Sequence, residues 1–306
     1  MGKIAFMFPG QGAQCVGMAK DFYDTYESSR EVFEKASKAA GFSIEKLCFK
    51  ENETLHQTRY TQPCLLTASY AILKAVEEKG IRADMTAGLS LGEYNALLAA
   101  GAFDLETAVK TVCQRGIYME EAVPGGKGAM AAVISRKPLA MDEILAEFEG
   151  KVTVANYNCP GQQVISGEKE AVEKAGEKLM EAGAFRVVPL KVSGPFHSPM
   201  LQGAGEKLGS LLEQTELGKP EISFVSNVTA KEAKEVEEIK SLLSRQVASS
   251  VLWQQSVEYL IQQGVDTFYE IGPGKTLSGF IKKIDRSVKV YQIEKVSDLE
   301  KLEIES

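Results

Sequence analysis

The chain has 306 residues, 44% of them hydrophobic and 25% charged, with a mean hydropathy of -0.13. That composition suits a globular protein with a large core, built as one big domain or as one domain carrying an insertion. A net charge of -7 and an isoelectric point near 5.2 argue against a nucleic-acid protein, and no apolar run approaches the length of a membrane span.

Met1-Gly2-Lys3-Ile4-Ala5-Phe6 runs straight into a strand, with no signal-peptide cleavage pattern. Residues 4–8 are a continuous apolar run fit for a buried parallel strand. The loop Pro9-Gly10-Gln11-Gly12-Ala13-Gln14 follows. It lacks G-x-G-x-x-G and a phosphate-loop lysine, which excludes the usual nucleotide signatures. It reads either as a plain turn or as a loop presenting backbone N–H groups to a reaction centre. The pattern predicts helices over 19–40 and 64–79, the second with Leu65, Leu66, Ala68, Ala71, Ile72 and Val76 on its apolar side. His56 stands among polar residues and reads as solvated.

Gly88-Leu89-Ser90-Leu91-Gly92 lies between a short strand, 85–87, and a helix, 93–100. G-x-S-x-G in that setting is the nucleophile elbow, a turn so tight that small residues must flank the serine. The serine is then held before a helix N-terminus, where N–H groups favour developing negative charge. Asp104 is the expected N-cap of a helix over 105–121. Arg115 in that helix is flanked by Val112, Gly116 and Met119, which predicts partial burial and therefore an anionic partner.

After the junction Pro124-Gly125-Gly126-Lys127-Gly128 the pattern becomes strand 129–134, helix 138–148, strands 151–156 and 162–166, helix 168–182 and strand 185–190. This β-α-β-β-α-β order is that of a small ferredoxin-like unit. Val192-Ser193-Gly194-Pro195 returns the chain to the main body, just before His197. His197 is one of only two histidines, and in a chain with a serine elbow it reads as a general base. Helix 200–214, strand 222–226, helix 235–248 with Gln246 near its end, helix 253–263, strand 268–271 and helix 276–284 complete the body. Residues 275–289 hold five cations against one carboxylate, a net charge of +4. That stretch is either a solvated face or a site for phosphate or an acidic protein. Residues 296–306 read as a frayed tail. The five cysteines are scattered and include no C-x-x-C, which argues for reduced thiols in a cytoplasm; Cys15 and Cys113 read as buried small hydrophobes.

Taken together, Phe8-Pro9-Gly10-Gln11-Gly12-Ala13-Gln14, Tyr60-Thr61-Gln62-Pro63, Gly88-Leu89-Ser90-Leu91-Gly92-Glu93-Tyr94, Gln114-Arg115-Gly116, Gly128-Ala129-Met130-Ala131-Ala132, Asn158-Cys159-Pro160-Gly161-Gln162, Phe196-His197 and Glu270-Ile271-Gly272-Pro273-Gly274-Lys275 carry a resemblance over residues 3–293. The chain resembles the malonyl-CoA:acyl-carrier-protein transacylases of bacterial fatty-acid synthesis. The resemblance implies an α/β fold: a large α/β-hydrolase-like domain with a parallel sheet (1–124 and 196–306) and an inserted ferredoxin-like small domain (125–195). It implies a ping-pong reaction in which Ser90 takes malonyl from malonyl-CoA, releasing coenzyme A, and the phosphopantetheine thiol of acyl carrier protein then takes it from Ser90. By the same resemblance His197 is the base, held by the backbone carbonyl of Gln246. The backbone N–H groups of Gln11 and Leu91 form the oxyanion hole, and Arg115 binds the malonyl carboxylate. Phe196 resembles the residue of malonyl-selective rather than methylmalonyl-selective acyltransferases. No cofactor or metal, no nucleic acid and no membrane is expected, and the compartment implied is the cytoplasm. Many members carry histidine where this chain has Leu89, which leaves His197 as its base. A serine hydrolase releasing free acid, a non-catalytic carrier-binding scaffold, and an acyltransferase serving polyketide synthesis in trans are the competing readings.

Overall fold

The computed structural model describes residues 2–123, 125–192 and 194–305. Pro124 and Ser193, which fall in the two expected junctions, lie outside the described residues, as do the first and last residues. The main sheet contains β1 (Lys3–Phe8) and β2 (Met85–Gly88). The small sheet is built from β3 (Gly128–Ile134), β4 (Val152–Cys159), β5 (Gln162–Glu168) and β6 (Arg186–Pro189). The main sheet is completed by β7 (Ser223–Val225), β8 (Glu232–Ala233), β9 (Val265–Ile271) and β10 (Lys289–Ile293). The strand order is β10-β9-β1-β2-β7-β8 in the main sheet and β4-β5-β3-β6 in the small one. Every main-sheet pair is parallel except β7 with β8, and every small-sheet pair is antiparallel. The fold is thus α/β, a parallel-rich sheet with a separate antiparallel sheet inserted between β2 and β7.

The central strand shows why. Phe6 and Phe8 point into one core and Ala5 and Met7 into another, so β1 is apolar on both faces, as a strand covered by helices on both sides must be. The first face is covered by α1 (Lys20–Thr25), α2 (Glu27–Ala40), α3 (Ile44–Phe49), α4 (Thr58–Glu78), α5 (Gly92–Ala99) and α6 (Leu105–Glu121). The small sheet packs its own core against α7 (Met141–Ala146) and α8 (Lys169–Glu181). Then come α9 (Gln202–Glu213), α10 (Val236–Gln246), α11 (Trp253–Gln262) and α12 (Thr276–Ile284), the last two covering the second face. The chain ends in α13 (Val296–Glu305). No helix among the described residues is long and apolar enough to cross a membrane.

Four expectations need correction. The helix expected over 19–40 is two helices, because Tyr26 between them is extended, at φ -108° and ψ 129°. The helix expected to start at 64 starts at Thr58, so Pro63 sits inside it. The Thr61 hydroxyl, donating to the carbonyls of Leu55 and Gln57, ties down its first turn. The tail is not frayed: Leu299 is fully buried, and the Asp298 carboxylate accepts from the N–H groups of Glu294 and Lys295 at the helix start. Cys15 is exposed rather than buried, while Cys113 is half-buried and its thiol is pushed up to about 12 by burial.

Candidate active site

The turn after β2 is as tight as its glycines suggest. A Cβ on Gly88 would lie 1.9 Å from the carbonyl carbon of Gly92, and one on Gly92 would lie 2.2 Å from the Phe8 carbonyl oxygen. Between them Ser90 adopts φ 53°, the left-handed region that a residue with a Cβ enters at a cost of about 1–3 kcal/mol. Two side chains lock it there. Asn227 Oδ1 accepts from the Ser90 N–H at 2.7 Å while its Nδ2 donates to the Gly88 carbonyl at 2.8 Å. Gln246 Nε2 donates to the Ser90 carbonyl at 2.9 Å.

His197 arrives from the return of the small domain and is also left-handed, at φ 58°. Its N–H donates to the Val247 carbonyl at 3.2 Å, fixing the bend. The Ser90 Oγ to His197 Nε2 distance is 2.7 Å, and His197 Nδ1 lies 2.8 Å from the Gln246 carbonyl oxygen. A carbonyl only accepts, so Nδ1 carries the proton and Nε2 offers its lone pair to the serine hydroxyl. Burial, with the Arg115 charge second, lowers His197 to about 4, so the ring is neutral near pH 7.

Arg115 is fully buried, beyond the partial burial that its neighbours suggested. Its Nη1 donates to Gln62 Oε1 at 2.9 Å, and its Nη2 donates to Gln246 Oε1 at 2.9 Å and to Ser90 Oγ at 3.2 Å. Its guanidinium carbon lies 5.6 Å from the centre of the Tyr94 ring. No carboxylate meets it directly: among the described residues Arg115 makes no ion pair, and the Glu93 charge reaches it only from the far side of the Gln246 amide. Desolvation lowers its pKa, so its charge is held at a cost. Gly116 brings it here, since a Cβ on that residue would lie 2.8 Å from Arg59 Cα; α6 can therefore press onto the first turn of α4, which supplies Gln62.

These groups open into a cavity of about 370 Å³, whose lining includes Gln11, Leu89, Ser90, Arg115, Phe196 and His197. Asn156, Asn158 and Gln162 of the small sheet line it from the other side. The backbone N–H groups of Gln11 and Leu91 are engaged in none of the hydrogen bonds among the described residues. His56 is exposed on the turn Thr54–His56, as its polar surroundings suggested. Sequence reasoning passed over Asn227, Gln62 and Glu93. Gln62 and Glu93 stand inside quoted motifs, but nothing in the pattern said that either faces the site; Asn227 stands in no motif at all.

A buried serine, hydrogen-bonded to a neutral histidine beside a cavity in an α/β fold, defines an enzyme that works through a serine nucleophile and an acyl ester. The chain belongs to the acyl transferase domain family, whose model matches residues 5–301. It is 44% identical over 308 residues to the malonyl CoA-acyl carrier protein transacylase of Bacillus subtilis (strain 168), covering 99% of this chain and 96% of that one. Its structure superposes on the crystal structure of malonyl CoA-acyl carrier protein transacylase from Clostridium perfringens with a TM-score of 0.95 at 46% identity, covering 99% of this chain and 96% of that one. It is also similar to a malonyl-transacylase in complex with a type II polyketide acyl-carrier protein, with a TM-score of 0.96 at 39% identity over 99% of this chain and 100% of that one.

Proposed function

We propose that this chain moves malonyl from malonyl-CoA to the phosphopantetheine thiol of acyl carrier protein through a malonyl ester on Ser90, supplying extender units for fatty-acid synthesis. The observation that carries the reading is Arg115: a buried guanidinium without an ion pair among the described residues, 3.2 Å from the Ser90 hydroxyl oxygen. Such a cation needs an anion, and a planar fork of N–H donors suits a carboxylate. An acyl group with a terminal carboxylate supplies one next to the reacting carbonyl.

In the first half-reaction His197 Nε2 takes the Ser90 proton as Oγ bonds to the thioester carbonyl carbon. The carbonyl oxygen becomes an anion facing the N–H groups of Gln11 and Leu91. Collapse breaks the C–S bond, and the imidazolium returns its proton to the coenzyme A sulfur. In the second half-reaction His197 deprotonates the carrier thiol, which attacks the ester, and Ser90 recovers its proton. Phe196 closes the pocket around the acyl chain. The reading takes 1–124 and 196–306 as the catalytic domain and 125–195 as the insert, and it places the enzyme in the cytoplasm. The separate antiparallel sheet and its own apolar core support the division.

The test separates transfer from hydrolysis: coenzyme A release from malonyl-CoA, followed with and without holo acyl carrier protein. A stoichiometric burst that becomes steady turnover only with carrier supports transfer. Steady release without carrier makes the chain a hydrolase.

A further inference from the structure

Glu93 has no part in the mechanism above, yet it is fully buried in the first turn of α5. A sealed carboxylate is costly unless its oxygens are filled by donors. One oxygen accepts the backbone N–H of Asn227, and the other accepts Nε2 of Gln246. Asn227 is the clamp on the serine turn, and Gln246 holds His197 through its carbonyl and Arg115 through Oε1. The Gln246 carboxamide therefore lies between a carboxylate and a guanidinium, its nitrogen toward the anion and its oxygen toward the cation. The flipped amide would set N–H against guanidinium and oxygen against both the carboxylate and the Ser90 carbonyl, so the two flanking charges and that carbonyl together fix its orientation. Burial pushes the Glu93 pKa up, while the Asn227 N–H, the Arg115 charge and the Gln246 amide pull the other way; with an N–H donor on each oxygen, the contacts fit the ionised carboxylate.

We propose that Glu93 is a positioning residue for substrate choice: through the Gln246 carboxamide it holds Arg115 in place without pairing with it, leaving the guanidinium charge free for the carboxylate of the acyl group. The inference rests on the reading that Arg115 receives that carboxylate. A carboxylate in direct contact with Arg115 would form an internal ion pair that substrate must break. With no carboxylate at position 93, Gln246 Nε2 keeps only the Ser90 carbonyl, and one of the two amide anchors of Arg115 loosens. One carboxylate, one amide away, avoids both states. It also ties the elbow and the specificity residue to one group.

The test is the ratio of kcat/KM for malonyl-CoA to that for acetyl-CoA in the full chain, with holo acyl carrier protein as acceptor. The variants are Glu93→Gln, Gln246→Ala, their combination, and the exchange Glu93→Gln with Gln246→Glu. Glu93→Gln should lower the ratio about tenfold or more, chiefly through the malonyl-CoA KM. The combination with Gln246→Ala should lower it no further than the worse single variant, to within about threefold, because both act along one line of contacts. The exchange should lower it about 100-fold or more, since the carboxylate introduced at position 246 meets the guanidinium directly. Equal losses for both substrates in Glu93→Gln would mean that Glu93 serves only the elbow, and would overturn the proposal. Multiplying losses in the combination, or a wild-type ratio in the exchange, would overturn it too. If Glu93→Gln does not fold, the exchange carries the test, because it keeps one carboxylate and one carboxamide in contact. Wild-type protein that transfers no malonyl would sink the reading of Arg115 itself, an outcome distinct from variants that leave a working ratio unmoved.

Discussion

Ser90 and His197 share the left-handed backbone, at φ 53° and 58°, and both are held there by hydrogen bonds from side chains or backbone remote in the chain. What each can do depends on a third residue. Arg115 donates to the serine oxygen and adds to the depression of His197, which burial begins. On the proposed reading, a substrate carboxylate pairing with Arg115 would relieve that part of the depression and strengthen His197 as a base. Because the His197 pKa is lowered from 6.5 to about 4, its second proton, on Nε2, is absent at neutral pH and binds only well into acid. The acid limb of kcat/KM, which reports the free enzyme, should therefore fall below about pH 5 rather than near 6.5. In Arg115→Ala that limb should move upward in pH; an unmoved limb means that Arg115 does not act on His197. For substrate choice, truncating one member of a buried charge pair costs roughly 2–5 kcal/mol, so Arg115→Ala should lose malonyl transfer about 30-fold or more. Acetyl transfer should hold or rise, and Arg115→Lys should fall between, as a point charge without the guanidinium fork. Competition between malonyl-CoA and acetyl-CoA measures it; equal loss for both makes Arg115 structural.

At the scale of elements, the elbow glycines are set by contact with neighbouring backbone. Gly92→Ala puts a methyl group 2.2 Å from the Phe8 carbonyl oxygen and should lower stability by about 1–3 kcal/mol and cut acylation of Ser90. Gly203→Ala in α9, where a Cβ meets nothing within 4 Å, should leave stability unchanged or raise it by up to about 1 kcal/mol. Thermal melting of the two variants side by side checks the contrast. The basic stretch of 275–289 runs from the residue before α12 through the turn after it to the first residue of β10, with Lys275, Lys282, Lys283, Arg286 and Lys289 all exposed. Lys283 reaches Gln162 of the cavity lining at 3.4 Å, so this face borders the mouth. Reversing Lys282 and Lys283 to Glu should raise the KM for carrier protein and leave that for malonyl-CoA unchanged, because surface charge steers an acidic partner's approach. Equal effects on both substrates would remove the docking role. Elements with strong periodicity or a cap, such as α6 behind Asp104, were legible in the sequence. The start of α4 was not, because Pro63 reads as a breaker unless tertiary contacts hold the turn before it. Nor was α13, whose apolar residues Val296, Leu299 and Leu302 recur every third position among charges and gain meaning only from the surface they meet.

Across the whole molecule, the site is assembled from segments that the chain keeps far apart. Ser90 comes from the turn after β2, His197 from the return of the insert, Gln246 from the end of α10, Arg115 from α6 and Gln62 from α4. The serine, histidine and arginine were legible because each stands in a local pattern. Asn227 was not: it holds the Ser90 N–H across 137 positions of sequence, and only the parallel pairing of β2 with β7 brings it near. The motifs therefore marked the residues that meet at the cavity and left out the frame that strains and orients them. The intact mass of the protein through one reaction cycle shows whether malonyl passes through Ser90. Wild-type protein mixed with malonyl-CoA should gain one malonyl group and lose it when holo acyl carrier protein is added, the carrier gaining the same mass. Ser90→Ala should gain nothing while keeping its fold. A malonyl adduct that persists on Ser90→Ala, or one that carrier protein cannot remove from the wild type, would rule out a Ser90 ester as the intermediate.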